Sequence, residues 1–233
     1  MGLLEYISLI DFLATSATIS TVLQFLTGLL ICRKYIRKKS TGDTSGLPFI
    51  SGFLSCSLWL KYGLLSHEHT VIFVNIIGTS LFLLYCLIYF TFCITKRIVV
   101  KQFMIATGVL LSCHFYTLYE TNTSIEAERI GLLCCIVSVM FFASPLTKLT
   151  HVVRTKSADS LPFPIITASF FVSFQWFFYG VLVEDKFIQV PNLLGTLLSS
   201  VQLMLYVIYP AKNVMQYNNG PLYEPLSTES DLI

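Results

Sequence analysis

Charge is scarce in this sequence. Asp, Glu, Lys and Arg make up 12% of its 233 residues, against about 25% in a soluble domain. With 55% hydrophobic residues and a mean hydropathy of +0.72, that excludes an ordinary globular chain. Ionisable residues in the hydrocarbon core, which mark proton or ion coupling, are nearly missing. Asp11, Lys61 and Glu68 fall near one surface, and His114 alone falls within an apolar span. The seven cysteines, Cys32, Cys56, Cys86, Cys93, Cys113, Cys134 and Cys135, lack metal-ligand spacing. Their odd number and their places in apolar segments argue against a disulfide framework and for small apolar helix residues. There is no clustered nucleophile, metal set or phosphate loop, so no enzyme, metal or cofactor is expected. The first apolar run has no basic leader and is long enough to span, so no cleavable signal peptide is expected. A net charge of +2 says nothing about partners, because distribution matters and the sum does not.

The sequence does have long apolar blocks. A membrane helix needs about 20 such residues, and seven segments qualify: about 8–31, 47–65, 70–93, 99–119, 130–147, 162–182 and 187–209. Lys and Arg orient them. Arg33, Lys34, Arg37, Lys38 and Lys39 follow the first span, and Lys96, Arg97 and Lys101 the third. Lys148, Arg154 and Lys156 follow the fifth and Lys212 the seventh, which leaves Lys61, Arg129 and Lys186 on the opposite side. The positive-inside rule then puts the N-terminus outside and the C-terminus in the cytosol. The sequon Asn122-Thr123-Ser124 falls in a loop this topology places outside, a candidate glycosylation site at Asn122. The stretch 211–233 reads as a disordered tail, with Tyr223-Glu224-Pro225-Leu226 fitting a Tyr-x-x-apolar sorting signal.

An internal repeat organises the spans. Trp59-Leu60-Lys61-Tyr62-Gly63 leads to Asn75-Ile76-Ile77-Gly78, and Trp176-Phe177-Phe178-Tyr179-Gly180 leads to Asn192-Leu193-Leu194-Gly195, an offset of 117 shared by Lys39-Ser40 and Lys156-Ser157. Three spans carry the chain across, so two equally oriented copies need an odd linking span. Span four supplies it. The expected fold is all-α transmembrane, seven helices as two parallel three-helix repeats joined by a linker helix (3+1+3). The boundaries are 1–95 for the first repeat, 96–122 for the linker helix region, 123–210 for the second repeat and 211–233 for the tail.

The ordered motifs resemble the SWEET sugar transporters, particularly their animal branch. They are Lys39-Ser40-Thr41, Leu47-Pro48-Phe49, Trp59-x-x-Tyr62-Gly63 and Asn75, then Ala143-Ser144-Pro145-Leu146, Lys156-Ser157, Leu161-Pro162-Phe163, Trp176-x-x-Tyr179-Gly180 and Pro191-Asn192. SWEETs are themselves an example of parallel repeats about an axis along the membrane normal. The resemblance implies a facilitative bidirectional sugar uniporter working by alternating access. It implies sugar contacts at Asn75, Asn192 and Trp176. The place matching Trp176 on helix two, often small in plant relatives, is Trp59 here. It implies an outer gate at Tyr62, Tyr179 and Asp185. The family's proline tetrad matches Pro48, Pro145 and Pro162. Its fourth place, twelve residues before Ser40, is Gly28, so a proline-driven kink in helix one is not carried over, though glycine can also loosen a helix. Plasma membrane is expected, with Golgi or endosomal membranes as the alternative; the partners are a sugar, membrane lipid and a second copy in a homo-oligomer, with no nucleic acid.

The residues support such a site independently. Trp59 lies roughly 9 Å from the outer end of helix two and Asn75 roughly 8 Å inside that of helix three, so helices running in opposite directions bring both to one layer. The same counts hold for Trp176 and Asn192. Asn amides donate and accept, while indole rings offer flat faces for sugar C–H groups plus one N–H donor each. Interhelical glue for the Asn, an interfacial belt for the Trp and Tyr, and first-turn placement for Pro48 and Pro162 are the structural alternatives. Pro145, near the end of span five, is the best hinge candidate. Uncoupled transport follows from the lack of core charges, and two Trp favour a glucose-like monosaccharide over a disaccharide. Competing readings are a PQ-loop type transporter of another solute, against which the missing Pro-Gln dipeptide counts, a seven-helix receptor, and a non-transporting membrane scaffold.

Overall fold

In lipid a chain this apolar can satisfy its backbone only as helices or a closed barrel, and every regular element among the described residues is a helix. A computed structural model describes residues 3–120 and 122–209. The expected tail and its tyrosine signal lie outside the described residues. The elements are α1 (Leu3–Lys38), α2 (Leu47–Ser66), α3 (His69–Phe92), α4 (Lys96–Tyr119), α5 (Thr123–Met140), α6 (Ala143–Thr155), α7 (Phe163–Leu182) and α8 (Lys186–Ile208).

Among the described residues, six stretches are long and apolar enough to cross a membrane: α1, α3, α4, α5 with α6 as one run, α7 and α8. α2 has the length, 20 residues, but carries Ser51, Ser55, Ser57 and Lys61. It packs against α3, α4 and α5, leaving Leu47, Pro48 and Leu64 exposed along its length. Buried between protein neighbours, it has no need to be as apolar as a lipid-facing span.

Two expected boundaries move. α1 runs from Leu3 rather than about residue 8 and on to Lys38 rather than 31. The fifth crossing spans Thr123–Thr155 rather than 130–147, and it is broken. Pro145 has no N–H to offer the Phe141 carbonyl one turn back. The chain tightens there into bonds from Phe141 N–H to the Ser138 carbonyl (3.2 Å) and Phe142 N–H to the Val139 carbonyl (3.0 Å) before α6 resumes.

Helices α1 and α2 both pack on α3, and α5, α6 and α7 on α8. Two seams, α1 against α7 and α2 against α5, join these groups, and the linker α4 rests on α2. The repeat is visible even in the backbone. Lys39 and its mate Lys156 have φ of 49° and 51°, and His67 and its mate Glu184 have 59° and 57°, all left-handed helix-end residues. A close approach explains the glycine of each Trp-x-x-Tyr-Gly motif. A Cβ on Gly63 would sit 3.1 Å from the Ile72 backbone nitrogen, and one on Gly180 3.0 Å from that of Gln189, the residue matching Ile72. Each glycine thus closes a helical hairpin against the helix that carries the Asn.

Candidate functional site

A cavity of about 350 Å³ lies between the two groups of helices, and Trp59, Asn75, Trp176 and Asn192 all line it. The four residues expected in one layer are therefore brought together. Ser55, Thr21, Gln24, Ser138 and Ser173 add polar atoms to the wall, while Phe25, Val74, Phe141, Phe142, Val172 and Pro191 make it largely apolar.

The amide of Asn75 donates one N–H to the Val71 carbonyl and that of Asn192 one to the Ile188 carbonyl, each at 2.8 Å and one turn back. These bonds hold the two side chains in matching ways on the cavity wall and use one of the two N–H groups of each amide. The indoles differ from expectation. Both ring N–H groups are already bonded inside the protein, Trp176 to the Thr21 hydroxyl at 2.8 Å and Trp59 to the Ser138 hydroxyl at 3.3 Å. Each Trp is thereby tied across a seam to the first helix of the other repeat, and its flat face is what it offers the cavity.

One turn beyond each Trp, towards the face where α1 begins, lies the Tyr of the motif. Tyr62 meets Trp59 edge to face at 5.7 Å, and Tyr179 meets Trp176 at 5.5 Å. Tyr62 donates to one carboxylate oxygen of Asp185 at 2.6 Å. The other oxygen of Asp185 caps α8, accepting from the N–H groups of Phe187 (2.8 Å) and Ile188 (3.1 Å), where an anion is also favoured by the helix dipole. Tyr179 donates to the Glu68 carboxylate at 2.9 Å. Both bonds cross between repeats, on the side of the cavity where α1 begins.

Towards the opposite, basic face the cavity adjoins a second one of about 350 Å³, with Gln24, Phe141, Phe142, Val172 and Ser173 common to both walls. Pro145 and Pro162 line this second cavity. Gly28 and Pro48 do not share it. Pro48 sits in the first turn of α2. α1 passes through Gly28 without a break, and the Tyr85 ring lies where a Cβ would be, 2.3 Å from its position. The set thus splits: Pro145 and Pro162 line the second cavity, Gly28 packs against Tyr85, and Pro48 is exposed at the start of α2. Ala143 and Ser144, which belong to the Pro145 motif, begin α6. Exposed on α4, His114 lies in none of these walls. Asn122 is exposed and caps α5 through its side-chain oxygen, accepting from Ser124 and Ile125 N–H at 3.1 and 3.4 Å.

Sequence reasoning missed three residues here. Thr21 and Ser138 are 117 apart, but hydroxyls are too frequent in membrane helices for such a pair to stand out. Glu68 was seen only as a surface charge, although subtracting 117 from Asp185 points straight to it.

A family model described as "Sugar efflux transporter for intercellular exchange" matches residues 11–97 and 128–214, again 117 apart. The chain is 55% identical over 205 residues to "Sugar transporter SWEET1" of Drosophila pseudoobscura pseudoobscura, covering 87% of this chain and 91% of that one. It is 33% identical over 208 residues to the protein of the same name from Mus musculus, covering 89% and 94%. It is also similar to a solved eukaryotic SWEET transporter, at 3.7 Å resolution, with a TM-score of 0.81 and 25% identity over 88% of this chain and 98% of that one.

Proposed function

This chain belongs to the SWEET family of sugar transporters, and from that premise we propose that it carries a monosaccharide down its gradient by alternating access. It is an integral membrane transporter and not an enzyme. The observation that carries the finer reading is the cavity, where two Asn amides and two indole faces meet between the repeats. A volume near 350 Å³ is at the low end of the range for small-molecule sites, which favours one sugar ring over two. The neutral, mixed lining suits a solute with hydroxyls on its rim and C–H groups on its faces, and needs no counter-charge. The Tyr62–Asp185 bond on one side and an adjoining second cavity on the other support the reading of a carrier facing inward. Asp185 is at once gate partner and helix cap, so it holds Tyr62 in place without a rotamer search. Pro145, beside the break in the fifth crossing, is the hinge this reading assigns to repeat two, while Gly28 is its unkinked counterpart in repeat one. The N-terminus faces outside and Asn122 is an outward acceptor for glycan, supported by the basic residues gathered on the other face.

Radiolabelled glucose and disaccharide flux in proteoliposomes tests this directly. Asn75→Ala and Asn192→Ala should each slow glucose entry by about tenfold or more, the effect of losing a hydrogen bond to a bound polar ligand, and disaccharide should not move. Parental rates in both variants would refute the site. Accumulation above the external concentration under a pH gradient would refute uncoupled transport.

A further inference from the structure

We propose that Glu68 is a gating residue, the second of two matched latches that close the cavity on the N-terminal face. The inference rests on the outer-gate reading of Tyr62, Tyr179 and Asp185 and extends it to a residue outside that set. Glu68 and Asp185 stand at equivalent places, each just before the helix that carries a cavity Asn. Each accepts a hydrogen bond from the phenol of the other repeat, at 2.9 and 2.6 Å.

A helix cap does not account for Glu68. Asp185 divides its two oxygens between the cap of α8 and Tyr62. Glu68 occupies the capping position of α3 but its side chain makes no capping bond. Nor does an ion pair, since among the described residues no Lys, Arg or His lies within salt-bridge distance of it. The longer side chain reaches past its own helix end to Tyr179, and that bond is what holds it. Because the two latches cross in opposite directions, from repeat one to repeat two and back, separating the repeats on this face requires both to break. One latch alone would leave the repeats free to pivot about it.

The two tryptophans of the chain, Trp59 and Trp176, both line the cavity, so intrinsic fluorescence reports its opening with no added label. The experiment uses full-length protein in sealed proteoliposomes of a single orientation, with impermeant iodide added on the N-terminal side. Glu68→Gln should raise the quenching constant about tenfold, the loss expected for a charge-assisted bond. Tyr179→Phe should match it without altering charge, which separates gate opening from attraction of iodide. The double variant should quench no more than either single, because both remove one bond, whereas Glu68→Gln with Asp185→Asn should exceed either alone. Parental quenching in Tyr179→Phe, or effects of Glu68→Gln and Tyr179→Phe that multiply as if independent, would overturn the assignment. If Glu68→Gln does not fold, Tyr179→Phe against Tyr179→Phe with Asp185→Asn decides the matter. No sugar enters the assay, so its failure is distinct from a failure of glucose flux.

Discussion

The halves of the two repeats that lie towards the basic face are built differently. In repeat one this region is solid. Tyr85 has 0% exposure, its ring lies against Gly28, and its hydroxyl donates to the Phe25 carbonyl of α1 at 3.1 Å. Tyr35, Phe49, Tyr89, Cys32 and Cys86 complete a buried cluster around it. In repeat two the residue matching Tyr85 is Gln202, the residue matching Gly28 is Pro145, and the cluster shrinks to Val152, Ala158, Leu161 and Ile166. A cavity with Gln202 and Pro145 in its wall occupies the space. The helix beside it breaks at Phe141 and Phe142, where the matching stretch of α1 is unbroken helix. A duplicated unit has thus kept the cavity layer of Trp59, Asn75, Trp176 and Asn192 and lost its symmetry below that layer. Repeat one is expected to move as a rigid block, and repeat two to supply the deformation.

Exchanging the plug tests this most severely. Tyr85→Ala removes a fully buried aromatic ring and should cost about 3–5 kcal/mol, enough to lower detergent melting sharply. Gln202→Ala, at the matching place but facing a cavity that already exists, should cost about 1 kcal/mol. Equal losses would show that both regions are packed alike in the membrane, contrary to the difference described above.

The next pair has effects of opposite sign. Gly28→Ala forces a methyl to within 2.3 Å of the Tyr85 ring, and such overpacking typically costs about 1–3 kcal/mol. Pro145→Ala restores an N–H able to bond to the Phe141 carbonyl and should raise the melting temperature while slowing glucose flux, because a healed helix resists the change of shape. A faster carrier after Pro145→Ala would remove the hinge from this site. Unchanged stability after Gly28→Ala would mean that Tyr85 can rotate aside, and that repeat one is softer than its packing implies.

Much of this was legible in the sequence, for physical reasons that also explain the gaps. The Trp-x-x-Tyr-Gly and Asn pattern survived duplication because each residue has a demanding job: an indole face, a phenol donor, a helix contact with no room for Cβ, an amide in an apolar wall. Such residues stand out against a Leu and Phe background. The start of the fifth crossing was hidden because Glu126, Glu128 and Arg129 interrupt apolarity, though helix continues through them at the polar boundary. Placing Pro145 near the end of that crossing followed from the same misread edges; with α6 continuing to Thr155, it lies well inside. The indole N–H partners were illegible for a different reason. Whether a donor faces the cavity or a neighbouring helix depends on rotation about the helix axis, and no spacing along the chain records that.

Those donor bonds also give the finest test of where symmetry ends. Thr21 accepts from Trp176 at 2.8 Å while donating to the Ala17 carbonyl at 2.7 Å, and the indole is buried. Ser138 accepts from Trp59 at a longer 3.3 Å, and that indole is only partly buried. Thr21→Val keeps the shape but leaves a buried N–H unsatisfied, so about 1–2 kcal/mol should be lost. Ser138→Ala should cost about 0.5 kcal/mol, since the bond is weaker and water in the cavity can replace it. The seams around these bonds differ in the same direction. α1 and α7 are also joined by Ser20 to Gln175 (2.6 Å), Gln175 to Ser16 (2.8 Å) and Gln24 to Ser169 (3.1 Å). Leu133, Val137 and Leu58 occupy the places matching Ser16, Ser20 and Gln175. A polar seam holds one register, because a slipped helix strands its donors, whereas an apolar seam can slide at little cost. If Thr21→Val and Ser138→Ala lower melting equally, the two seams are equivalent and the asymmetry is confined to the region around Tyr85 and Pro145. If Thr21→Val is the worse, it extends up to the cavity layer, and α2 against α5 is the surface along which the repeats shift.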